Sequence, residues 1–444
     1  MCFRLLAAFL LSLALTAASK AAVSEVGSGF EVESYALQLV PDLSTKSVSG
    51  AETIRFRSLR NGLRSLSFSP NALIVEKATL DGRPVRTDSG KGSVTFELPV
   101  AVDSGRSATL AFRYRGVPTR GVKASATSMY TSYFACDWMI CLQDAPGDKA
   151  RFSLDLRLPR GLTSLSIGRL AATVPGADGM VVHKWRSRRS YSPYLFGFAF
   201  GSFEKAIVRS GGIQLAYLGE GVQQAELKRL FAETPAMVRF LSVKAGFGLP
   251  ADQYTQLLVP GREAQEVATY SLIGREELDR SSSDPQSDWV IVHELAHQWW
   301  GNSVTSASWK DFWLNEGITT FMTAAWKEHR FGRRAYEAEL DGARARLARA
   351  GEAGWDRPLA FGGEYPSLGL RRAVQYSKGA LFMHELRNML GERAFWAGLK
   401  AYTRRHAGGT VTSIDLQRAM EQESGRSLSG EFGEWVFGSD PGTR

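Results

Sequence analysis

Cysteine is nearly absent from this chain: three in 444 residues, at positions 2, 136 and 141. No histidine cluster lies near them, so a cysteine-built zinc site is not expected. Long apolar runs are missing beyond the first twenty or so residues, which excludes a further membrane-spanning helix. No low-complexity segment, block of like charge or internal repeat is present. That excludes a long disordered tail and a repeat array. Nor is the charge of one sign: 54 Lys and Arg face 45 Asp and Glu, a formal +9. The basic residues are scattered, densest at Arg344–Arg349 and Arg186–Arg189, and no nucleic-acid motif accompanies them. A solvated basic surface, with no nucleic-acid partner, is the expectation.

Histidine is scarce too, six in all. Two of the six fall in His293-Glu294-Leu295-Ala296-His297, inside an apolar run with helical rhythm from Trp289 to Trp300. Residues four apart on a helix share a face, so both imidazoles point at one spot. That is what a zinc ion needs from its first two ligands. Glu294 projects close by and can act as base for an attacking water. A catalytic zinc takes three protein ligands, and Glu316 is the candidate for the third, with eighteen residues between it and His297. Gly301 and Asn302 should end the first helix. Asp311 should cap a second, Phe312 to Phe331, stopped by Gly332. Gly317 inside that helix costs stability, and close helix approach would explain it. A His pair can also be plain hydrogen-bonded core; the Asn315-Glu316-Gly317 triplet at this spacing argues against that.

These residues carry a resemblance. His293 to Thr305 (HELAHQWWGNSVT) with Trp309 to Thr320 (WKDFWLNEGITT) resembles the zinc aminopeptidases of the aminopeptidase N family, which are gluzincins. The family pattern is H-E-x-x-H, eighteen residues, then Glu. The resemblance implies one zinc per chain on His293, His297 and Glu316, with Glu294 as general base and acid. Tyr376-Ser377-Lys378-Gly379-Ala380 is similar to the family's Y-x-K-G-A segment, which implies that Tyr376 hydrogen-bonds the oxyanion of the tetrahedral intermediate. Taken alone, Tyr376 reads as a core tyrosine at the start of a helix over Ser377 to Leu390.

The length suggests two or three domains. From Phe30 to about Phe203 the pattern is strands, among them Tyr35–Val40, Glu52–Phe56, Ser93–Leu98, Leu110–Tyr114 and Phe152–Leu158, expected to be antiparallel. Beyond it helical periods dominate, at Gln224–Ala245, Arg334–Ala350 and Ala394–Thr403 as well as the zinc helices, with strands at Ile213–Tyr217 and Tyr254–Val259. The predicted fold is multidomain α+β. An all-β domain over 22–204, saddle-like by resemblance, precedes a mainly helical thermolysin-like catalytic domain over 205–444.

Residues 1–21 read as a secretory signal. Arg4 is the charged start, Leu5 to Leu15 the apolar run and Ser19-Lys20-Ala21 the cleavage site. The mature chain is therefore expected to be exported, periplasmic or secreted, and not stably inserted in a membrane. Cys136 and Cys141 then form an even pair, expected to be a disulfide.

Two departures from the family stand out. Its C-terminal helical domain has no counterpart here, which implies an open cleft or one closed by another subunit, so oligomerisation stays open. Its Gly-x-Met-Glu-Asn segment, whose Glu binds the substrate's α-amine, is divergent: Arg262 to Glu276 reads REAQEVATYSLIGRE. Glu266 is the candidate for that role and Glu263 the runner-up. Asp137 is a weaker candidate from the β domain. The expected substrate is a peptide or protein, and the expected reaction is release of N-terminal residues. A zinc endopeptidase and a silent exported peptide-binding module are the alternatives.

Overall fold

The computed structural model describes residues 25–90, 92–176, 178–281 and 288–438. The expected signal segment, 1–21, lies outside the described residues. Strands fill the first half. An eight-stranded sheet has Phe30–Asp42 near its middle, antiparallel to Ser47–Ser58 and parallel to Arg151–Pro159. The expectation of a purely antiparallel domain therefore fails at this pair. The alternation expected over Tyr35–Val40 matches the strand's burial pattern; its distant partner leaves no such trace in the sequence. A four-stranded and a three-stranded sheet complete the β-rich half. Cys136 and Cys141 are joined in a disulfide across a buried loop, their Cα atoms 5.1 Å apart.

A further, five-stranded sheet begins at Phe203 and holds the two halves together. In spatial order its strands are Phe203–Ser210, Ile213–Glu220, Gln253–Val259, Tyr270–Gly274 and the short edge strand Ala264–Gln265. Successive side chains of a strand face opposite ways. Accordingly Ala216, Leu218, Leu257 and Leu272 join the core of the β-rich half, while Leu215, Tyr217, Leu258 and Ile273 join the helical core. The fold is thus α+β, an all-β half followed by a mainly helical half. Among the described residues no helix is long and apolar enough to cross a membrane.

Four local expectations need correction. The helix predicted over Gln224–Ala245 is two, Gln224–Leu230 and Thr234–Ala245, interrupted at Phe231–Glu233 with a proline at the start of the second. The motif helix is Trp289–Ala296, shorter than the apolar run, and Gly301 follows it with φ +128°. The second zinc helix starts at Trp313 with no side-chain cap. Asp311 instead accepts hydrogen bonds from the backbone and hydroxyl of Ser413, at 3.0 and 2.6 Å. Tyr376 lies in a π-helical turn, Arg372–Lys378, leading into Gly379–Arg405, a helix broken at Gly391.

Candidate active site

The motif helix runs beside strand Tyr270–Gly274, and the hydroxyl of Ser271 donates to the carbonyl of Glu294 at 3.2 Å. One turn separates His293 from His297, and their Nε2 atoms lie 3.2 Å apart. Glu316 comes from the first turn of Trp313–Phe331. Its Oε2 is 3.3 Å from each of those nitrogens. Three ligand atoms bonded at about 2.0–2.1 Å in tetrahedral geometry would be about 3.3 Å apart, so the triangle has the size a zinc ion requires.

Chemistry agrees with the spacing. His297 Nδ1 lies 3.0 Å from the carbonyl oxygen of Trp300. A carbonyl only accepts, so Nδ1 carries a proton and Nε2 is the atom left to face a metal. Glu316 Oε2 is buried and receives no hydrogen bond of normal geometry. Burial opposes a charge on Glu316, but the two rings outweigh it and hold the carboxyl well below its usual range. Burial likewise lowers His297, yet Glu316 and Glu266 lift it to about 10. Burial keeps His293 low. The cluster therefore demands positive charge. A proton can satisfy one pair of these atoms, a metal ion all three.

Gly317, next to Glu316, faces Gly379. A Cβ on Gly317 would sit 2.8 Å from the Gly379 Cα. The two glycines let the second zinc helix and the Tyr376 segment touch backbone to backbone. Tyr376 then stacks on His293, ring centroids 6.0 Å apart and planes 8° from parallel. Burial first, then Glu316 and Glu266, push its phenol well above the usual value. It stays a neutral donor. A π-helical turn is often found at functional sites, and here it carries the candidate donor.

Glu266 also arrives. Its carboxylate, that of Glu294 and a nitrogen of His297 all lie within 4.8 Å of one another. Burial, with Glu316 close, raises Glu266; burial, with Glu266 and Glu316 close, holds Glu294 well above its usual range against the pull of His297. The loop bearing Glu266 is fastened to the turn that leaves the motif helix. Gln298 accepts from the Thr269 backbone at 3.0 Å and donates to the Val267 carbonyl at 3.3 Å. Asn302 donates to the Glu266 carbonyl at 3.0 Å. Glu263 is held elsewhere, by the hydroxyl of Ser132 at 2.8 Å. Asp137 is not at the site: its carboxylate accepts from the backbones of Arg120 and Gly121 at 2.8 and 2.7 Å and anchors that loop.

Tyr133 escaped the sequence reading. Its backbone is left-handed, φ +57°. Its N–H donates to Gln265 Oε1 at 2.9 Å and its hydroxyl to the Ala264 carbonyl at 2.6 Å. Burial, then Glu294, Glu263 and Glu266, raise this phenol as well, which places it beside the acids. No sequence motif announces a tyrosine reaching in from the other half.

A buried H-E-x-x-H pair completed by a glutamate from a second helix, behind a β-rich half, defines a gluzincin metallopeptidase centre. Residues 267–435 match the Peptidase family M1 domain. The chain is 26% identical to Aminopeptidase N of Lactococcus lactis subsp. lactis, covering 94% of this chain and 52% of that protein. It is 23% identical to Aminopeptidase 2 of Candida albicans, over 90% and 46%. The chain thus spans about half the length of the curated relatives it matches. Its fold matches a solved M1 zinc metallopeptidase from Deinococcus radiodurans with a TM-score of 0.79 at 24% identity, covering 93% of this chain and 95% of that one. These likenesses support an aminopeptidase N-family zinc peptidase.

Proposed function

We propose that the protein is a zinc aminopeptidase, with one zinc per chain held by His293, His297 and Glu316. Bound there, zinc would supply Lewis acidity, polarising the scissile carbonyl and drawing the pKa of water towards neutrality. Glu294 takes the proton of the attacking water and passes it to the leaving amine. Tyr376 donates to the oxyanion. Glu266 receives the free α-ammonium of the substrate.

The observation that carries this reading is the third acid. Glu266, Glu294 and Glu316 surround one His pair. Among the described residues no Lys or Arg forms an ion pair with Glu266 or Glu294. A metal on the His293–His297–Glu316 triangle would leave Glu266 as a buried acid without an ion-paired cation, and an ammonium beside it would favour its charged form. A peptide whose N-terminus is free brings that ammonium; an internal peptide bond does not. The relatives named aminopeptidase support the reading, as does the solved Deinococcus relative, of which a variant is bound to Tyr-Ser-Ala substrate. The leader-like start of the sequence and the Cys136–Cys141 bridge support export to an oxidising compartment.

Peptides with free and N-acetylated termini test it. Free peptides should lose one residue at a time, and acetylated ones should be poor substrates. A charge-assisted contact is worth about 1.5–3 kcal/mol, so Glu266→Ala should lose about ten- to a hundredfold in kcat/KM on free peptides alone. Equal internal cleavage of acetylated peptides would favour the endopeptidase instead. Zinc-loaded protein that cuts nothing would favour the silent module.

A further inference from the structure

Lys149 precedes strand Arg151–Pro159 of the β-rich half, but its side chain ends in the helical half. Its Nζ lies 2.8 Å from the Ser303 carbonyl, 3.1 Å from Thr305 Oγ1 and 3.2 Å from the carbonyls of Asn302 and Gly409. No carboxylate belongs to this set. An ammonium has three protons and accepts nothing, so here it is shared among four oxygens, as a small metal cation would be. The loop carrying it lies flat on its partner: a Cβ on Gly147 would come within 2.7 Å of the Ala307 carbonyl.

The cage is built from the turn that leaves the motif helix. Asn302 N–H donates to the His297 carbonyl at 2.9 Å, and Gly408 N–H donates to the Ser303 carbonyl at 3.0 Å. The same Asn302 holds the Glu266 carbonyl with its side chain. Converging carbonyl oxygens repel one another unless a cation sits among them. The turn, and the Asn302 side chain with it, are therefore tied to the donors that Lys149 brings across, an ammonium whose pKa burial, with Arg189 close, lowers to about 7.

We propose that Lys149 is a positioning residue whose ammonium is the resident cation of an oxygen cage, and that this cage fixes the Asn302 turn and through it the Glu266–Val267 backbone. The effect on substrate rests on the reading of Glu266 as the amine-binding group; the cage itself does not. Its role is to set where the amine is held, and it touches neither substrate nor metal.

The test uses the full, zinc-loaded protein. Lys149→Ala should raise KM for free-amino peptides about tenfold with kcat changed far less, the mark of lost ground-state binding. N-acetylated peptides should be unaffected. Ammonium or potassium ions should refill the vacated cage, lowering KM again and raising the thermal midpoint, whereas choline should do neither. Asn302→Leu should raise KM similarly without ammonium rescue, and the double variant should be no worse than the worse single one. If Lys149→Ala does not fold, Asn302→Leu carries the KM test. A Lys149→Ala protein with a lowered midpoint, unchanged KM and no response to ammonium would reduce Lys149 to a tie between domains and overturn the proposal. Glu266→Ala run in parallel separates the two readings. Should it leave the preference for free amines intact, the amine assignment fails. The cage is then decided by the ammonium-dependent midpoint of Lys149→Ala and by its non-additivity with Asn302→Leu in that midpoint.

Discussion

Glu294 is buried among like charges and next to the ligand pair without belonging to it. Replacing it by glutamine removes the carboxylate proposed as base and leaves the ligand triangle untouched. Glu294→Gln should hold zinc at full occupancy, measured by elemental analysis, and lose about a hundredfold or more in kcat. His293→Ala and Glu316→Ala should instead lose metal and activity together. Tyr376→Phe keeps the stacked ring on His293 and removes only the hydroxyl. A loss on the order of a hundredfold in kcat with little change in KM is expected of a transition-state contact; unchanged kcat would demote the residue to packing. Away from the centre, burial lifts Asp148 to about 7, opposed by the Val32 backbone. Its folded pKa lies above its unfolded one, so its contribution to stability is full below about pH 4 and is lost as pH rises through about 7. Linkage sets an upper limit of about 4 kcal/mol, less for a side chain that keeps some solvent contact. The thermal midpoint of Asp148→Asn should fall less between pH 4 and 8 than that of the wild type.

Two helical glycines make opposite predictions. Gly317→Ala would drive a methyl group into the Gly379 backbone. Overpacking of that kind costs about 1–3 kcal/mol, and kcat should fall with it because the Tyr376 turn is pushed from His293. Gly342, in helix Arg333–Glu352, meets only the far end of Arg346 at 3.5 Å. Gly342→Ala should therefore stabilise by up to about 1 kcal/mol and leave turnover alone. Denaturant titration and initial rates decide both. The same contrast shows what the sequence could reveal. Gly317 was suspicious because a helix interior disfavours glycine, and the element holding Glu316 was read nearly to its ends. The H-E-x-x-H spacing fixed a shared face for His293 and His297 without any knowledge of the fold. Glu266 was harder, because nothing local says that Gln298 and Asn302 would fasten its loop to the turn that leaves the motif helix. Asp311 misled because a capping residue and a long-range acceptor look alike in one dimension. Tyr133 depends on a left-handed backbone and a partner in the other half, and neither leaves a periodic trace.

At the scale of the molecule, the five-stranded sheet gives one face to each hydrophobic core. Separate melting of the halves would strip one of those faces bare. Calorimetry on the zinc-loaded protein should therefore show a single transition, and two resolved peaks would contradict the shared sheet. Chelation should lower that midpoint and zinc should restore it, since the ligands join two helices of one core.

Strand Phe30–Asp42 has one neighbour that follows it immediately and another, Arg151–Pro159, that comes far downstream. While the chain is being made, or threaded through a membrane, the first hairpin must wait with one ladder of amide and carbonyl groups unmet. Contacts so distant in sequence form slowly, and an unpaired edge in the meantime invites another chain. The order of synthesis thus exposes the centre of this sheet first and protects it late. The early hairpin is where a holding chaperone would be of most use, and truncation ahead of residue 159 should promote aggregation, measured by light scattering.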